Sequence, residues 1–263
     1  MKPNKISSID YDVFIEIKMN GATIQGIYRS TIHLSLVDSI ITLGNRVTQG
    51  KHHITIDQDI DFSSYHLVVG QRIFMDNNTM FIGNLEFLIE QEAVIIFTPY
   101  QHIFRIDAQF IKVLKSLKLM IRDQHYQNLF SYSKHDPLLK YQFEKIDVFL
   151  NSPGLPSALS ILGLGMGLTP LGDDILTGFI LGLNSIGKTL PWIPTLVQEA
   201  DKKTSRLSAQ NLKDTQERYY PQAFIDLLIG LFIEHDVEKA KTILNLGATS
   251  GAGILTGFIY GLM

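Results

Sequence analysis

The chain has 263 residues, which is enough for one large domain or two modest ones with a substantial core. Its hydrophobic share of 45% and charged share of 19% exclude a disordered chain, and its net charge of −3 predicts neither a nucleic-acid nor a membrane partner. It contains no cysteine, which excludes disulfides, thiolate nucleophiles and cysteine-bound metals and favours a reducing, cytoplasmic location.

Neither end of the chain predicts insertion into a membrane. The start, Met1–Tyr11, is polar and has no apolar run of the kind that targeting signals carry. The longest uncharged apolar stretches, Ile175–Ile186 and Ile254–Met263, are shorter than the roughly 20 residues that a bilayer span requires. We therefore expect a soluble protein in which these stretches are buried helices.

The first hundred residues have the character of short β-strands from about Tyr11 to Pro99. The clearest strand segments are Thr23–Tyr28, Thr31–Leu36, Ile40–Leu43, His53–Ile56 and Ala93–Phe97. About six to nine such strands, joined by hairpins, predict an antiparallel barrel or sandwich. No helical pattern separates them, which argues against a parallel Rossmann-type sheet.

The hydrophobic period becomes helical after Phe104. Asp136 and Pro137 predict a helix start there, with Asp136 as the N-cap. Further helices are predicted over Pro156–Leu162, Thr169–Leu183, Pro191–Lys202, Ser205–Glu217, Pro221–Glu234, Val237–Leu246 and Ser250–Leu262. The fold class is therefore α+β, with a β domain over residues 1–105 followed by an all-α domain over residues 106–263.

An internal repeat marks the helical half. Ile175–Leu183 and Ile254–Leu262 are identical at eight of nine positions, at an offset of 79 residues. Each copy carries Gly-x-x-x-Gly, which leaves a flat groove on one helix face. We expect the two helices to be buried neighbours related by a local pseudo-twofold axis. The alternative is two independent helices that resemble each other because buried helices share a composition.

Both repeated helices begin after a turn rich in glycine and hydroxyl groups. Thr169 is predicted as the N-cap of the first helix, with Pro170 at its first position, and Thr249 or Ser250 as the cap of the second. Amide N–H groups at such helix starts bind phosphate or carboxylate. The glycine run Gly163–Gly172 matches neither the dinucleotide fingerprint nor a P-loop.

Two adjacent carboxylates, Asp173 and Asp174, distinguish the first helix start from the second, which has Ala252 and Gly253 at the corresponding positions. They could simply stabilise the helix dipole. They could also accept hydrogen bonds from an amide or carbamoyl group, hold a divalent cation or act as a base. Because neighbouring side chains on a helix point about 100° apart, we expect the two to have different roles.

Three blocks of the helical half resemble one bacterial family. They are Gly163–Gly182, the block Thr204-Ser205-x-x-Ser208-Ala209, and Gly247-x-Thr249-Ser250-Gly251. Together they are similar to the AllH-type subunit of oxamate carbamoyltransferase. In that family pattern Ser takes the position of Leu171, His that of Ala248 and Asp that of Gly253. The β half resembles the family only in being rich in strands.

The resemblance implies a part in anaerobic allantoin breakdown. Together with two partner subunits, the enzyme of this family transfers a carbamoyl group between oxalurate and phosphate, giving oxamate and carbamoyl phosphate. Catalytic roles are expected for Asp173 and Asp174. Contacts with a small anionic substrate are expected for Gly165, Gly167, Thr169, Gly172, Thr204, Ser205, Ser208, Thr249, Ser250 and Gly251.

The sequence also allows other interpretations of the function. The missing polar residues also fit a non-catalytic scaffold or ligand-sensing subunit, or a related transferase acting on another small carboxylate or amide. Ser250 lacks a Gly-x-Ser-x-Gly elbow, so it is interpreted as a cap first and a ligand contact second. His52 and His53 adjoin a strand start and predict no shared metal site. Arg29 and Arg46 are candidate anion partners, and the sequence assigns no cofactor.

Overall fold

The computed structural model describes residues 4–45, 47–121, 136–247 and 249–263, so Arg46 and Ala248 lie outside the described residues. The chain forms two compact units. One comprises Met1–Pro99 and Tyr219–Gln222, and the other comprises Tyr100–Arg218 and Ala223–Met263. The predicted boundary at residue 105 lies close to this division. It stays a prediction that each unit is an independent domain.

The first unit is an eight-stranded barrel with one additional strand. Its strands are β1 (Asn4–Asp10), β2 (Ala22–Ile27), β3 (Thr31–Ser35), β4 (Ile40–Gly44), β5 (His53–Ile56), β6 (Arg72–Asp76), β7 (Thr79–Ile82), β8 (Leu85–Ile89) and β9 (Val94–Ile95). The sheet runs β5-β4-β3-β2-β6-β7-β8-β1 and closes through pairing of β1 with β5, while β9 adds to β1. Apolar side chains such as Ile24, Leu34 and Phe87 are fully buried within the unit.

The prediction of an entirely antiparallel sheet is wrong. β1 pairs parallel with β8 and with β9, and β4 pairs parallel with β5. The other pairings of the described strands are antiparallel. Residue alternation shows that a segment is a strand but not its direction, and β1 meets β8 across some 80 residues of chain, where no hairpin turn fixes the direction.

The strand-like character expected from Tyr11 onward is also wrong for the first ten residues of that range, because they form helix α1 (Tyr11–Asn20). The Asp10 carboxylate caps this helix by accepting a hydrogen bond from the Asp12 N–H. Val13 and Ile17 are buried at helical spacing. The helix ends at Gly21, whose φ of 72° is favourable only for glycine.

The second part of the chain is helical, so that the protein is α+β overall. Its described helices are α2 (Ala108–Ile121), α3 (Pro137–Asn151), α4 (Leu155–Ile161), α5 (Leu171–Ser185), α6 (Ile193–Lys203), α7 (Arg206–Gln216), α8 (Gln222–Ile229), α9 (Ala240–Leu244) and α10 (Ser250–Gly261), and a π-helical turn over Gly230–Glu234 follows α8. The predicted cap of α3 is confirmed, because Asp136 accepts hydrogen bonds from the Leu138 and Leu139 N–H groups. None of the helices in the described ranges is long and apolar enough to cross a bilayer.

Helices α5 and α10, which carry the repeated sequence, pack directly against each other. A Cβ atom added at Gly178 would lie 1.8 Å from the Ile254 carbonyl oxygen. In return, a Cβ atom at Gly257 would lie 1.9 Å from the Ile175 carbonyl oxygen. The two helices are therefore buried neighbours, as predicted, and glycine allows their backbones to touch. Their pseudo-twofold relationship stays a prediction.

Candidate functional site

The glycine-rich turn before α5 has a backbone that only glycine adopts easily. Gly163, Gly165 and Gly167 have φ angles of 75°, 130° and 103°. A Cβ atom at Gly165 would also lie 2.6 Å from the Leu171 nitrogen. The tip of the turn is open to solvent, where Met166 is 85% exposed. The N–H groups of Gly165 and Gly167 have no backbone hydrogen-bond partner among the described residues, which leaves them available to an anion.

Three N–H groups in the first turn of α5, those of Gly172, Asp173 and Asp174, are not available in the same way. The Leu164 carbonyl accepts a hydrogen bond of 2.8 Å from the Gly172 N–H, and the Pro170 carbonyl accepts from Asp173 and Asp174. At the start of α10, the Gly251 N–H donates to the Leu246 carbonyl at 3.0 Å. Gly172 and Gly251 are also buried. Their expected role as ligand contacts therefore has no support from backbone geometry.

Asp173 joins the glycine-rich turn to Thr204, which lies between α6 and α7. Its side chain is buried, and Oδ1 accepts a hydrogen bond of 2.6 Å from the Gly163 N–H. Its Oδ2 accepts a hydrogen bond from the Thr204 hydroxyl. Burial raises the pKa of Asp173, and the hydrogen bonds from these groups act in the opposite direction. Both oxygens thus bind groups of the protein itself.

Asp174 lies on a different face and has a different environment. The residue is only 5% exposed, and its Oδ2 has no hydrogen-bond partner among the described residues. Burial raises the pKa of Asp174 to about 8, helped by the like charge of Asp173 and opposed by hydrogen bonding from the Ser250 and Thr169 hydroxyls. The two carboxylates therefore differ in their contacts, as the helical spacing suggested.

A pair of hydroxyl groups joins the two helix starts. The Thr169 Oγ1 and the Ser250 Oγ are 2.9 Å apart, although 81 residues separate them in the chain. Both side chains belong to half-buried residues beside Asp174. The glycine-lined starts of α5 and α10 therefore adjoin one another.

Of the caps predicted for these two helices, that of α5 is wrong by one residue, whereas that of α10 is confirmed at Thr249. Pro170 rather than Thr169 occupies the cap position of α5, and Ser250 is the first residue of α10 rather than its cap. Thr249 takes the cap position, but its side chain makes no capping bond. The Thr169 hydroxyl lies within hydrogen-bond distance of the Ser250 hydroxyl instead of capping α5.

The middle hydroxyl block lies beside the same turn. Ser205 caps α7 by accepting a hydrogen bond from the Ser208 N–H, and its hydroxyl donates to the Leu168 carbonyl at 2.6 Å. The Ser208 side chain is buried near Asp173 and lowers the carboxyl pKa, yet its oxygen completes no hydrogen bond of normal geometry. Thr204 and Ser205 therefore stabilise the glycine-rich turn through Asp173 and the Leu168 carbonyl.

Gly253 is a residue of the site that the sequence analysis did not assign. It follows Ser250 by three positions and lies on the same face of α10. A Cβ atom there would lie 3.0 Å from the Asp174 Cβ and 2.9 Å from the Leu171 Cδ1. The three-residue spacing from Ser250 was the available signal. Because position 253 has no side chain, Asp174 and Leu171 lie directly against the helix.

The remaining candidates lie in the barrel unit. The Arg29 Nε is 3.4 Å from the Asp61 Oδ2, so this guanidinium already has a carboxylate partner. The His53 Nδ1 lies 2.7 Å from the Thr48 carbonyl oxygen. Within the part of the chain that the structure describes, no three His, Asp or Glu side chains form a group suited to a metal ion.

Comparison with known proteins identifies the helical segment. Residues 161–262, which run from the end of α4 through α10, match the family model described as oxamate carbamoyltransferase subunit AllH. No curated protein and no solved structure matched the sequence. The match includes the glycine-rich turn, both aspartates, the middle hydroxyl block and the second helix start. The matched residues 161–262 make up less than half of the chain, and over them the sequence is similar to the AllH family, which supports the prediction from its motifs.

Proposed function

We propose that this chain is a cytoplasmic subunit of a carbamoyltransferase related to oxamate carbamoyltransferase. In this proposal, a small anionic substrate binds between the Gly165–Thr169 turn and Ser250. One observation carries the proposal: the Thr169 and Ser250 hydroxyls lie 2.9 Å apart and bring two glycine-lined helix starts to one place. The AllH family match covers both of these starts.

The chemistry of the turn supports an anionic ligand. The N–H groups of Gly165 and Gly167, which have no backbone acceptor among the described residues, are hydrogen-bond donors on a backbone that takes a positive φ at both glycines. The Thr169 and Ser250 hydroxyls add two further polar groups. The N-terminal ends of α5 and α10 contribute partial positive charge. Carboxylate, phosphate and carbamoyl phosphate all suit such a site.

Reciprocal helix contacts support a paired scaffold for this site. A Cβ atom at Gly182 would lie 2.4 Å from the Phe258 carbonyl oxygen, and one at Gly261 would lie 2.3 Å from the Phe179 carbonyl oxygen. Each contact has a counterpart exactly 79 residues away, which is the offset of the sequence repeat. Mutually exchanged contacts are the mark of a twofold interface. We therefore infer a local pseudo-twofold axis between α5 and α10, which keeps both helix starts on one side.

The reaction expected of the complex is exchange of a carbamoyl group between nitrogen and oxygen. An oxygen of phosphate forms a bond to the carbamoyl carbon of oxalurate, the bond from that carbon to the oxamate nitrogen breaks, and this nitrogen takes the phosphate proton. The proposed part of this chain is to orient the substrate carboxylate with the Gly165–Thr169 turn and Ser250. Partner subunits complete the enzyme. Asp173 and Asp174 act in this proposal by positioning these groups.

The test is oxalurate phosphorolysis by the full complex with variants of the hydroxyl pair. Ser250→Ala and Thr169→Val should each reduce kcat/KM by roughly tenfold to a hundredfold, because each removes a hydrogen bond to a charged ligand. Ser116→Ala, on the exposed face of α2, is the matched control and should leave activity unchanged. Wild-type kcat/KM in both hydroxyl variants would overturn the assignment of this site.

A second candidate is a ligand-sensing or scaffold subunit of the same complex. Leu171 and Gly253 motivate it, because they replace the Ser and Asp of the family pattern and lie against each other, so the departures remove polar groups from one place. Oxamate binding measured by calorimetry, alongside turnover of the complex, separates the candidates. A sensor predicts that Ser250→Ala weakens binding while the kcat of the complex at saturating substrate is unchanged. The transferase proposal predicts loss of both.

A further inference from the structure

Asp174 lies beneath the Thr169–Ser250 hydroxyl pair without a charged partner. The residue is 5% exposed, its Oδ2 is unpartnered among the described residues, and no Lys, Arg or His affects its ionisation. The groups that face it are Ser250 and Gly253 from α10, Thr169 from the turn and Asp173 from its own helix. Among these, Asp173 is the one that carries a charge, and that charge is of the same sign.

Such an environment favours the neutral acid over the carboxylate. The Thr169 and Ser250 hydroxyls act on the carboxyl but leave Oδ2 without a donor, so an ionised Asp174 recovers only part of the hydration that it loses on burial, whereas a protonated Asp174 carries no charge to desolvate. Ionisation of Asp174 next to Asp173 would also place two negative charges side by side. Consistent with this, burial raises the pKa of Asp174 to about 8, so most molecules hold the proton at neutral pH.

The proton has a consequence for the direction of the hydrogen bonds above it. A carboxylate can only accept, so an ionised Asp174 draws the hydroxyl protons of Thr169 and Ser250 inward and leaves oxygen lone pairs facing outward. A carboxylic acid can donate, so a neutral Asp174 gives its proton to one hydroxyl and frees a hydroxyl proton to point outward. An anion is bound by the second arrangement and repelled by the first.

Resting on the proposed function, we propose that the proton on Asp174 sets the polarity of the Thr169–Ser250 pair. The pair donates a hydrogen bond to a bound carboxylate or oxyanion only while Asp174 is protonated. Asp174 is thus a positioning residue that acts through the two hydroxyls rather than a group that touches the ligand. Anion binding is then linked to retention of one proton, and the site loses its preference for anions as that proton leaves.

Calorimetric titration of the full chain, and of its complex with the partner subunits, with oxamate tests this linkage. The oxamate carboxylate stays ionised between about pH 6 and pH 9, so changes in affinity report on the protein. We expect the Kd to rise about tenfold between pH 7 and pH 9, as the protonated fraction of a group with a pKa of about 8 falls. Proton uptake per bound oxamate, obtained from titrations in buffers of different ionisation enthalpy, should rise from near zero at pH 6.5 to about one at pH 9.

The Asp174→Asn variant removes the group that titrates and keeps an uncharged hydrogen-bond donor at the same position. The asparagine amide is uncharged at every pH and still has a donor for the hydroxyl pair, so this variant should bind oxamate near the wild-type affinity at pH 7 and keep it at pH 9. Asp147→Asn, an exposed change on α3, should keep the wild-type pH dependence. If Asp174 had only a structural role, the substitution would change the affinity for oxamate but would leave its pH dependence unchanged.

The outcomes distinguish the inference from the function on which it rests. Absence of oxamate binding at every pH, in both the chain and the complex, would overturn the proposed function itself. Binding with no change between pH 7 and pH 9, or with no proton uptake at pH 9, would overturn the role of Asp174 alone. Persistence of the wild-type pH profile in Asp174→Asn would do the same. The proton-uptake measurement needs only the wild-type protein, so it decides the matter even if the variant does not fold.

Discussion

Leu171 fills the space that a side chain at Gly253 would need. Its Cδ1 lies 2.9 Å from the position of a Cβ atom at residue 253, closer than such atoms approach in real proteins. The family pattern has Ser at the first position and Asp at the second, so the two departures compensate each other sterically. A polar pair is replaced by a leucine packed on a glycine beside Asp174. The contact between Leu171 and Gly253 therefore makes this wall of the site apolar.

This relationship predicts that the two positions are energetically coupled. Gly253→Ala should cost about 1–3 kcal/mol of unfolding free energy, because the new methyl group overpacks the contact with Leu171. In a Leu171→Ala background the same change should cost less, with a coupling energy of at least about 0.5 kcal/mol. Urea denaturation of the two single variants and the double variant measures the cycle. Additive costs would show that the contact with Leu171 does not limit position 253.

For the glycines between α5 and α10, we predict a larger loss of unfolding free energy on substitution by alanine. Gly257→Ala would place a methyl carbon 1.9 Å from the Ile175 carbonyl oxygen, and a backbone atom cannot move aside as a side chain can. We expect a loss of about 3 kcal/mol or more, despite the better helix propensity of alanine. Gly154→Ala is the control, since a Cβ atom there meets only the Pro156 Cδ at 3.9 Å. Thermal unfolding of both variants compares them, and equal stability would contradict direct backbone contact of the helices.

The sequence predicted the parts of this site that depend on repetition and local spacing. Gly178 and Gly257 occur in nine-residue segments that are identical at eight positions, and that similarity was sufficient to predict that α5 and α10 pack together. The capping of α3 by Asp136 and of α7 by Ser205 likewise follows from residue type beside a helical pattern.

Features that depend on distant pairing were not predictable in the same way. Thr169 was expected to cap α5, but its hydroxyl bonds Ser250, which is 81 residues away. Spacing along a helix indicated that Asp173 and Asp174 differ, but only the fold shows that one binds Gly163 and the other has no partner for its Oδ2. The parallel pairing of β1 with β8 was missed for the same reason.

The bonds of Asp173 predict a graded response to substitution. Asp173→Ala leaves the Gly163 N–H without its acceptor in a half-buried turn and should cost about 1–3 kcal/mol of unfolding free energy. Asp173→Asn keeps one oxygen for Gly163, and its amide can donate to the Thr204 hydroxyl, so it should cost clearly less. Denaturant unfolding of the two variants measures which of them loses more unfolding free energy. Equal losses would mean that the negative charge, rather than the hydrogen bonds, holds the turn.

Asp174 makes a prediction about stability as a function of pH. Burial raises its pKa in the folded chain to about 8 from the ordinary value of 3.8, so the folded state holds a proton that the unfolded state releases. Stability contributed by this proton is fully present below about pH 4 and is lost as pH rises to about 8, at up to about 1.4 kcal/mol per pH unit. Asp174→Asn has no proton to lose, so its stability relative to wild type should increase steadily from pH 5 to pH 8. Urea denaturation at unit pH steps measures the two profiles, with Asp147→Asn as a control that should run parallel to wild type. Parallel profiles for Asp174→Asn and wild type would mean that Asp174 is already ionised in the folded protein at pH 5.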